Sequence, residues 1–349
     1  MDTEHAARGL LDRLAEGPVI CAEGYLFEFE RRGYLQAGAF VPEIVLEYPE
    51  LVTQMHREFV HAGSDVVEAF TYYGHREKLR IIGKEDLLEP LNRTALELAR
   101  AVARESDALA AGDLCNTNAF FPDDASRKAV RAMFEEQVAW IVDAGMDFAI
   151  AETFSYGEEA LLALEVIKEA ELTAVVTLAM HRAGRTREGW APEEGCRRLA
   201  DAGADVVGLN CIRGPRTLLP MLAAVREAVD CHVAALPVPY RTSEAEPTFQ
   251  SLSDPGCDCL PDGRPFPTAL DPLLCNRYEI AEFAREAHAM GIDYLGVCCG
   301  NAPHFTRSMA EALGRTPPAS RYSPDMSKHA FMGTDKQLKD HNQAFAKDL

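Results

Sequence analysis

The chain has no surplus of positive charge: 35 lysines and arginines stand against 55 aspartates and glutamates, a net charge of -20. A nucleic-acid binder wants a basic stripe, and none is present, so that class of partner is set aside. An acidic surface mainly supports solubility. No apolar run approaches the roughly 18 residues that a membrane-spanning helix needs. The opening stretch, MDTEHAARGLLDRLAEGP, lacks the basic start and apolar core of a secretory leader. The expected compartment is therefore the cytoplasm, with no membrane partner. A glycine-rich phosphate loop after the first apolar run is missing too, which argues against an open, doubly wound nucleotide-binding sheet.

What the sequence does have is apolar material, 47% of 349 residues, enough for a large core. Eight short apolar runs alternate with helical patterns: Pro18 to Cys21, Asp65 to Phe70, Ala108 to Ala111, Asp147 to Ala151, Thr173 to Leu178, Asp205 to Leu209, His232 to Ala235 and Tyr294 to Val297. HAGSDVVEAF, DAGMDFAIAE and DAGADVVGLN repeat one pattern, and MGIDYLGVCC resembles them. In each, glycine ends a helix in a left-handed turn, aspartate follows, and an apolar strand begins. Strands that are apolar throughout belong in a sheet buried on both faces. Eight such units predict an α/β fold, a (β/α)8 barrel over residues 1–315. The segment 241–270 breaks the repeat and reads as an insertion after strand seven, a candidate lid. From residue 316 the chain is polar and reads as a tail that ends in an amphipathic helix suited to a subunit contact.

Ten cysteines in a cytoplasmic chain do not suggest a disulfide framework. Most should be buried, inert thiols. Three differ by position. Cys211 follows strand six directly, after Asn210, and Cys298-Cys299 follow strand eight. Barrel enzymes place their chemistry at the C-terminal ends of strands, so the three thiols should meet on one face. Glycines 208, 296 and 300 leave room for close backbone approach. Three thiolates and one open position describe a catalytic zinc (Zn2+) site, and sulfur ligands favour zinc over magnesium or calcium. A thiol in the open position would become a nucleophile at neutral pH. Cys257 and Cys259, in the insertion, could bind a second soft metal. Cys21, Cys115, Cys196, Cys231 and Cys275 read as packing residues. His56, His61 and His75 show no ligand spacing.

GLNC around Cys211 and GVCCG around Cys298 and Cys299 resemble the paired signatures of the homocysteine S-methyltransferases. FEFERRGYLQAG, FTYYGHREKL, DFAIAETF and REAHAMGIDYLGVCCG are similar to the betaine-using members. The resemblance spans roughly residues 9 to 320. It implies a zinc-bearing (β/α)8 barrel, homocysteine as methyl acceptor, a small onium donor such as glycine betaine or a sulfonium, and a homo-oligomer.

Carried over residue by residue, the resemblance assigns Glu152 to the homocysteine ammonium and Tyr73 to the donor. The family's aspartate after strand one falls on Ala22, in the stretch Ala22-Glu23-Gly24, so Glu23 is the candidate replacement. A cage tryptophan falls on Phe40, a tyrosine after the strand-four glutamate falls on Thr153, and a glycine of the last signature falls on Val297. A quaternary ammonium is held by aromatic faces, each worth about 0.5 to 2 kcal/mol. Tyr25, Tyr72 or Tyr156 could rebuild the cage. Two other readings stay open here: a non-catalytic zinc-binding barrel, and a metal-free enzyme using Cys298 or Cys299 as nucleophile with His304 as base.

Overall fold

A computed structural model describes residues 8–348. The first seven residues, part of the stretch read as lacking a secretory leader, and Leu349 lie outside the described residues.

Eight strands close into a parallel barrel in chain order: β1 (Val19–Ala22), β2 (Val66–Glu68), β3 (Leu109–Cys115), β4 (Phe148–Phe154), β5 (Ala174–Leu178), β6 (Val206–Asn210), β7 (His232–Leu236) and β8 (Tyr294–Val297). β1 seals the ring against β8, with Val19 opposite Tyr294 and Ala22 opposite Val297. All eight strands fall on the runs read from the sequence. Among the described residues, no helix is long and apolar enough to cross a membrane.

The repeated glycine–aspartate step has a physical reason. Gly63, Gly145, Gly203 and Gly291 all hold positive φ, between 62° and 110°, where each helix turns back toward the sheet. A side chain there would strain the backbone. The carboxylates of Asp65, Asp147 and Asp205 then accept hydrogen bonds from the amides of Ile20, Ala110 and Ala174, at 2.7 to 2.8 Å. Each aspartate thus ties its own strand to a neighbour.

Along each strand, side chains alternate between two cores. One set fills the barrel: Cys21, Val66, Leu109, Ala111, Phe148, Ile150, Val175, Val206, Ala234, Leu236 and Tyr294. Leu10 and Leu14 of the first helix, Leu10–Glu16, join that cluster. The other set, including Ile20, Val67, Ala149, Val176, Val207 and Leu295, packs against the surrounding helices. Apolar runs without alternation are the result.

Following the inward set toward the C-terminal ends, the chemistry changes. Two residues beyond Val66, Ala111, Ile150 and Val175 come Glu68, Asp113, Glu152 and Thr177, all buried. β3 and β4 therefore run three or four residues past the boundaries expected from apolarity alone, to Cys115 and Phe154. Their polar residues belong to the strands because they point into the barrel mouth.

The segment between β7 and the helix Arg277–Ala289 contains three short 3-10 turns. After the helix Pro303–Ala312, Arg315 bonds both carboxylate oxygens of Asp65 at 2.6 Å. A turn, Pro318–Tyr322, and a six-residue helix, Asp340–Phe345, follow.

Candidate metal and substrate site

Cys211, Cys298 and Cys299 meet at the barrel mouth, their sulfur atoms within 4.8 Å of one another. All three are buried free thiols. The Cys211 amide donates to the Leu236 carbonyl at 2.9 Å, and the Cys298 amide to the Pro237 carbonyl at 2.9 Å. Backbone crowding explains the nearby glycines. A Cβ on Gly208 would lie 2.0 Å from the Ala234 carbonyl oxygen, and one on Gly296 would lie 2.4 Å from that of Cys21. Gly300, at φ +98°, meets the Tyr240 hydroxyl in the same way. The neighbouring Cys298 and Cys299 thiols hold Cys211 well below the usual thiol range. Burial pushes Cys298 up, and the Cys211 sulfur pushes Cys299 up. A three-sulfur donor set of this kind fits a zinc ion.

Beneath the sulfurs lies a ring of carboxylates: Glu23, Glu68, Asp113 and Glu152, all buried. Asn210 organises one side of it. Its side-chain nitrogen donates to Glu152 Oε2 at 2.5 Å and to Thr153 Oγ1 at 2.8 Å, with Glu23 at 3.4 Å. Its oxygen accepts from the Thr153 amide at 3.0 Å. Burial raises all four carboxyl groups well above their ordinary range, and their mutual repulsion raises them further. A group of carboxylates this dry attracts cations. Glu68, Asp113 and Glu152 line a small cavity of about 10 Å³ together with Gly24, Tyr25, Tyr72, Cys298 and Cys299.

On the outer side of the sulfurs is a larger cavity of about 170 Å³. Phe27, Phe40, Tyr72, Tyr73, Phe249 and Phe266 give it aromatic walls, and Cys211 and Cys299 face into it. Thr153, Asn116, Asn118, Ser155, His181 and Gln250 add polar groups. Eight non-glycine residues hold positive φ among those described, and Phe40, Tyr73, Asn118, Thr153, Cys211 and Ile212 all line this cavity. Such backbone strain gathers where a site is preorganised. One face of Tyr73 already carries the Lys78 amine, 3.9 Å from the ring centroid.

The sequence-derived candidates thus divide into two sets. Glu23, Gly24, Glu152 and Asn210 gather around the inner carboxylates, while Phe40, Tyr73 and Thr153 face the outer cavity. Tyr72 touches both cavities. Tyr25 does not join the outer aromatics. Its hydroxyl donates to the Ala22 carbonyl at 2.6 Å, and its ring packs on His56, Phe59 and Phe70. Tyr156 lines a neighbouring cavity with Asn116, Asn118 and His181.

His304 lines a surface groove with Gln54, Arg57 and His61 that none of the three cysteines lines, and among the described residues it makes no hydrogen bond to Cys298 or Cys299. Cys257 and Cys259 are joined by a disulfide, which removes them as a metal pair. Sequence reasoning passed over Glu68, Asp113, Phe249, Gln250 and Phe266. A charged residue inside an apolar run, as in VVEAF, was the available signal for Glu68.

A family model described as homocysteine S-methyltransferase matches residues 24–313. The chain is 36% identical to betaine–homocysteine S-methyltransferase 1 of Xenopus tropicalis, over 95% of this chain and 82% of that one. It is 35% identical to an S-methylmethionine–homocysteine S-methyltransferase of Pongo abelii, over 94% of this chain and 87% of that one. The barrel superposes on a metallated homocysteine methyltransferase of Escherichia coli with a TM-score of 0.67 at 18% identity, covering 86% of this chain and 99% of that chain.

Proposed function

The chain belongs to the homocysteine S-methyltransferase family and is an S-methyltransferase, and we propose that it moves a methyl group from glycine betaine to the thiol of homocysteine. The observation that carries this reading is the order of chemistry across the barrel mouth. Carboxylates lie inside, three sulfurs come next, and an aromatic cavity lies outside, with Cys299 and Tyr72 touching both spaces.

Cys211, Cys298 and Cys299 are the residues that would hold zinc. When bound, that ion supplies the Lewis acidity that keeps a thiol ionised near neutral pH. Glu152 and Glu23 hold the acceptor's ammonium by charge-assisted hydrogen bonds. Asn210 positions Glu152 by donating to Oε2. Phe40, Tyr72, Tyr73, Phe249 and Phe266 take the donor's quaternary ammonium, which aromatic faces attract once water is excluded. The acceptor sulfur then attacks the donor methyl carbon in line. A carbon–sulfur bond forms as the carbon–nitrogen bond breaks, and its electron pair stays on nitrogen. The products are methionine and dimethylglycine. Most of the rate gain comes from aligning two small molecules in a dry cavity. The relatives named for betaine support this donor over a sulfonium.

The experiment is zinc analysis and homocysteine calorimetry on the reduced chain and its Cys211→Ser, Cys298→Ser and Cys299→Ser variants. Each variant should lose bound zinc and, with it, homocysteine affinity. Full zinc and unchanged affinity in Cys211→Ser would overturn the assignment.

A further inference from the structure

Methyl transfer leaves two buried carboxylates without a task. Glu68, ending β2, and Asp113, in β3, are each 3% exposed. Both oxygens of Glu68 and Oδ1 of Asp113 accept no hydrogen bond among the described residues. The other Asp113 oxygen has only the Thr71 hydroxyl, at 3.4 Å. The charged groups acting on the pair are all acidic: Glu23, Glu152 and each other. Yet buried charges are normally paired or bound to metal, since an isolated one is costly.

Geometry suggests what compensates them. One oxygen from each of Glu68, Asp113 and Glu152 lies within 4.8 Å of the other two. The cavity they share, about 10 Å³, has room for one ion or one water. An all-oxygen donor set is hard, unlike the three sulfurs above it, and selects magnesium or manganese over zinc. We propose that Glu68, Asp113 and Glu152 form a second metal site, for a hard divalent cation of the magnesium or manganese class, beneath the sulfur site. Glu152 belongs to both environments. A cation there fixes the carboxylate that Asn210 also holds and so shapes the acceptor's end of the site. The proposal rests on side-chain geometry and is independent of which methyl donor the enzyme uses.

The test is a Mn2+ titration of the full zinc-loaded chain, reading free Mn2+ by electron paramagnetic resonance. One saturable site per chain is expected. Cys298→Ser should keep it while losing zinc. Glu68→Gln and Asp113→Asn, which preserve shape and remove like-charge repulsion, should weaken Mn2+ binding at least tenfold while keeping zinc and the native circular dichroism. Absence of a saturable Mn2+ site in the unmodified chain overturns the proposal without any variant. So does Mn2+ binding that survives both carboxylate variants, or that is lost only with Cys298. Methionine formation can fail without affecting these readouts, so the two claims fall separately.

Discussion

The backbone of Gly24 lies against the peptide that joins Cys298 to Cys299: a Cβ on Gly24 would sit 2.3 Å from the Cys298 carbonyl carbon. Gly24 also holds φ at +78°, which a side chain would strain. The loop after β1 thus fixes the height of the cysteine pair. Gly24→Ala should push the pair out of register with Cys211. Metal analysis should find bound zinc reduced by more than half, with turnover lowered at least tenfold. Full zinc content in that variant would show that the contact is not needed.

Asn210 bridges the acceptor carboxylate and the strand carrying the first cysteine. Its Nδ2 donates to Glu152 at 2.5 Å. Asn210→Ala leaves a buried carboxylate oxygen with one donor fewer, at a cost of about 1 to 3 kcal/mol. The KM for homocysteine should rise roughly tenfold, with zinc content and the donor's KM unchanged. Steady-state kinetics with each substrate varied in turn makes the distinction, and an effect confined to the donor would contradict the role given to Asn210.

Phe266 and Phe249 reach the outer cavity from the segment between β7 and the following helix. Replacing Phe266 or Phe40 by alanine should raise the donor's KM about 3- to 30-fold, the equivalent of one aromatic face of about 0.5 to 2 kcal/mol. The acceptor's KM should stay fixed. If Phe266→Ala leaves donor kinetics intact, that segment covers the site without reading the donor.

His56 gives a pH prediction. Both its ring nitrogens are buried without a hydrogen-bond partner, and burial lowers its pKa to about 3; His75 is similarly lowered, to about 4. The unfolded chain takes up these protons near pH 6.5 and the folded chain does not. Stability is therefore full above pH 6.5 and is lost as pH falls toward 3. For one such histidine the loss between pH 7 and 5 is about 2 kcal/mol. The raised carboxyl groups act in the opposite direction, favouring the fold at low pH, and do so equally in a His56→Phe variant. Denaturant unfolding at pH 7 and pH 5 should show a smaller loss for the variant by that amount. An equal loss in both proteins would mean that His56 is protonated when folded.

Much of this site could be read in the sequence because a barrel converts strand ends into neighbours. Cys211 and Cys298 are distant in the chain, yet each directly follows a strand; Cys298 keeps the inward parity of Tyr294, while Cys211, out of phase with Val206, reaches the mouth through left-handed backbone at φ 54°. The strand boundaries of β3 and β4 were less legible, because the reading stopped where apolarity stopped. Asp113 and Glu152 are polar for the reason that makes them important: they face the mouth. Glu68 was hidden inside the otherwise apolar VVEAF. Phe249 and Phe266 depend on the path of an irregular segment, which no periodicity announces. Tyr25 stands where it could have joined the donor cage, but its hydroxyl found the Ala22 carbonyl and turned the ring into the core.

The most direct test of the central claim is methionine formation by reduced, zinc-loaded enzyme supplied with homocysteine and methyl-labelled glycine betaine, beside parallel reactions with S-methylmethionine. The account predicts labelled methionine and an equal amount of dimethylglycine from betaine. Methionine from S-methylmethionine alone would contradict the donor. No methionine from either, with one zinc per chain, would contradict thiol methylation at this site.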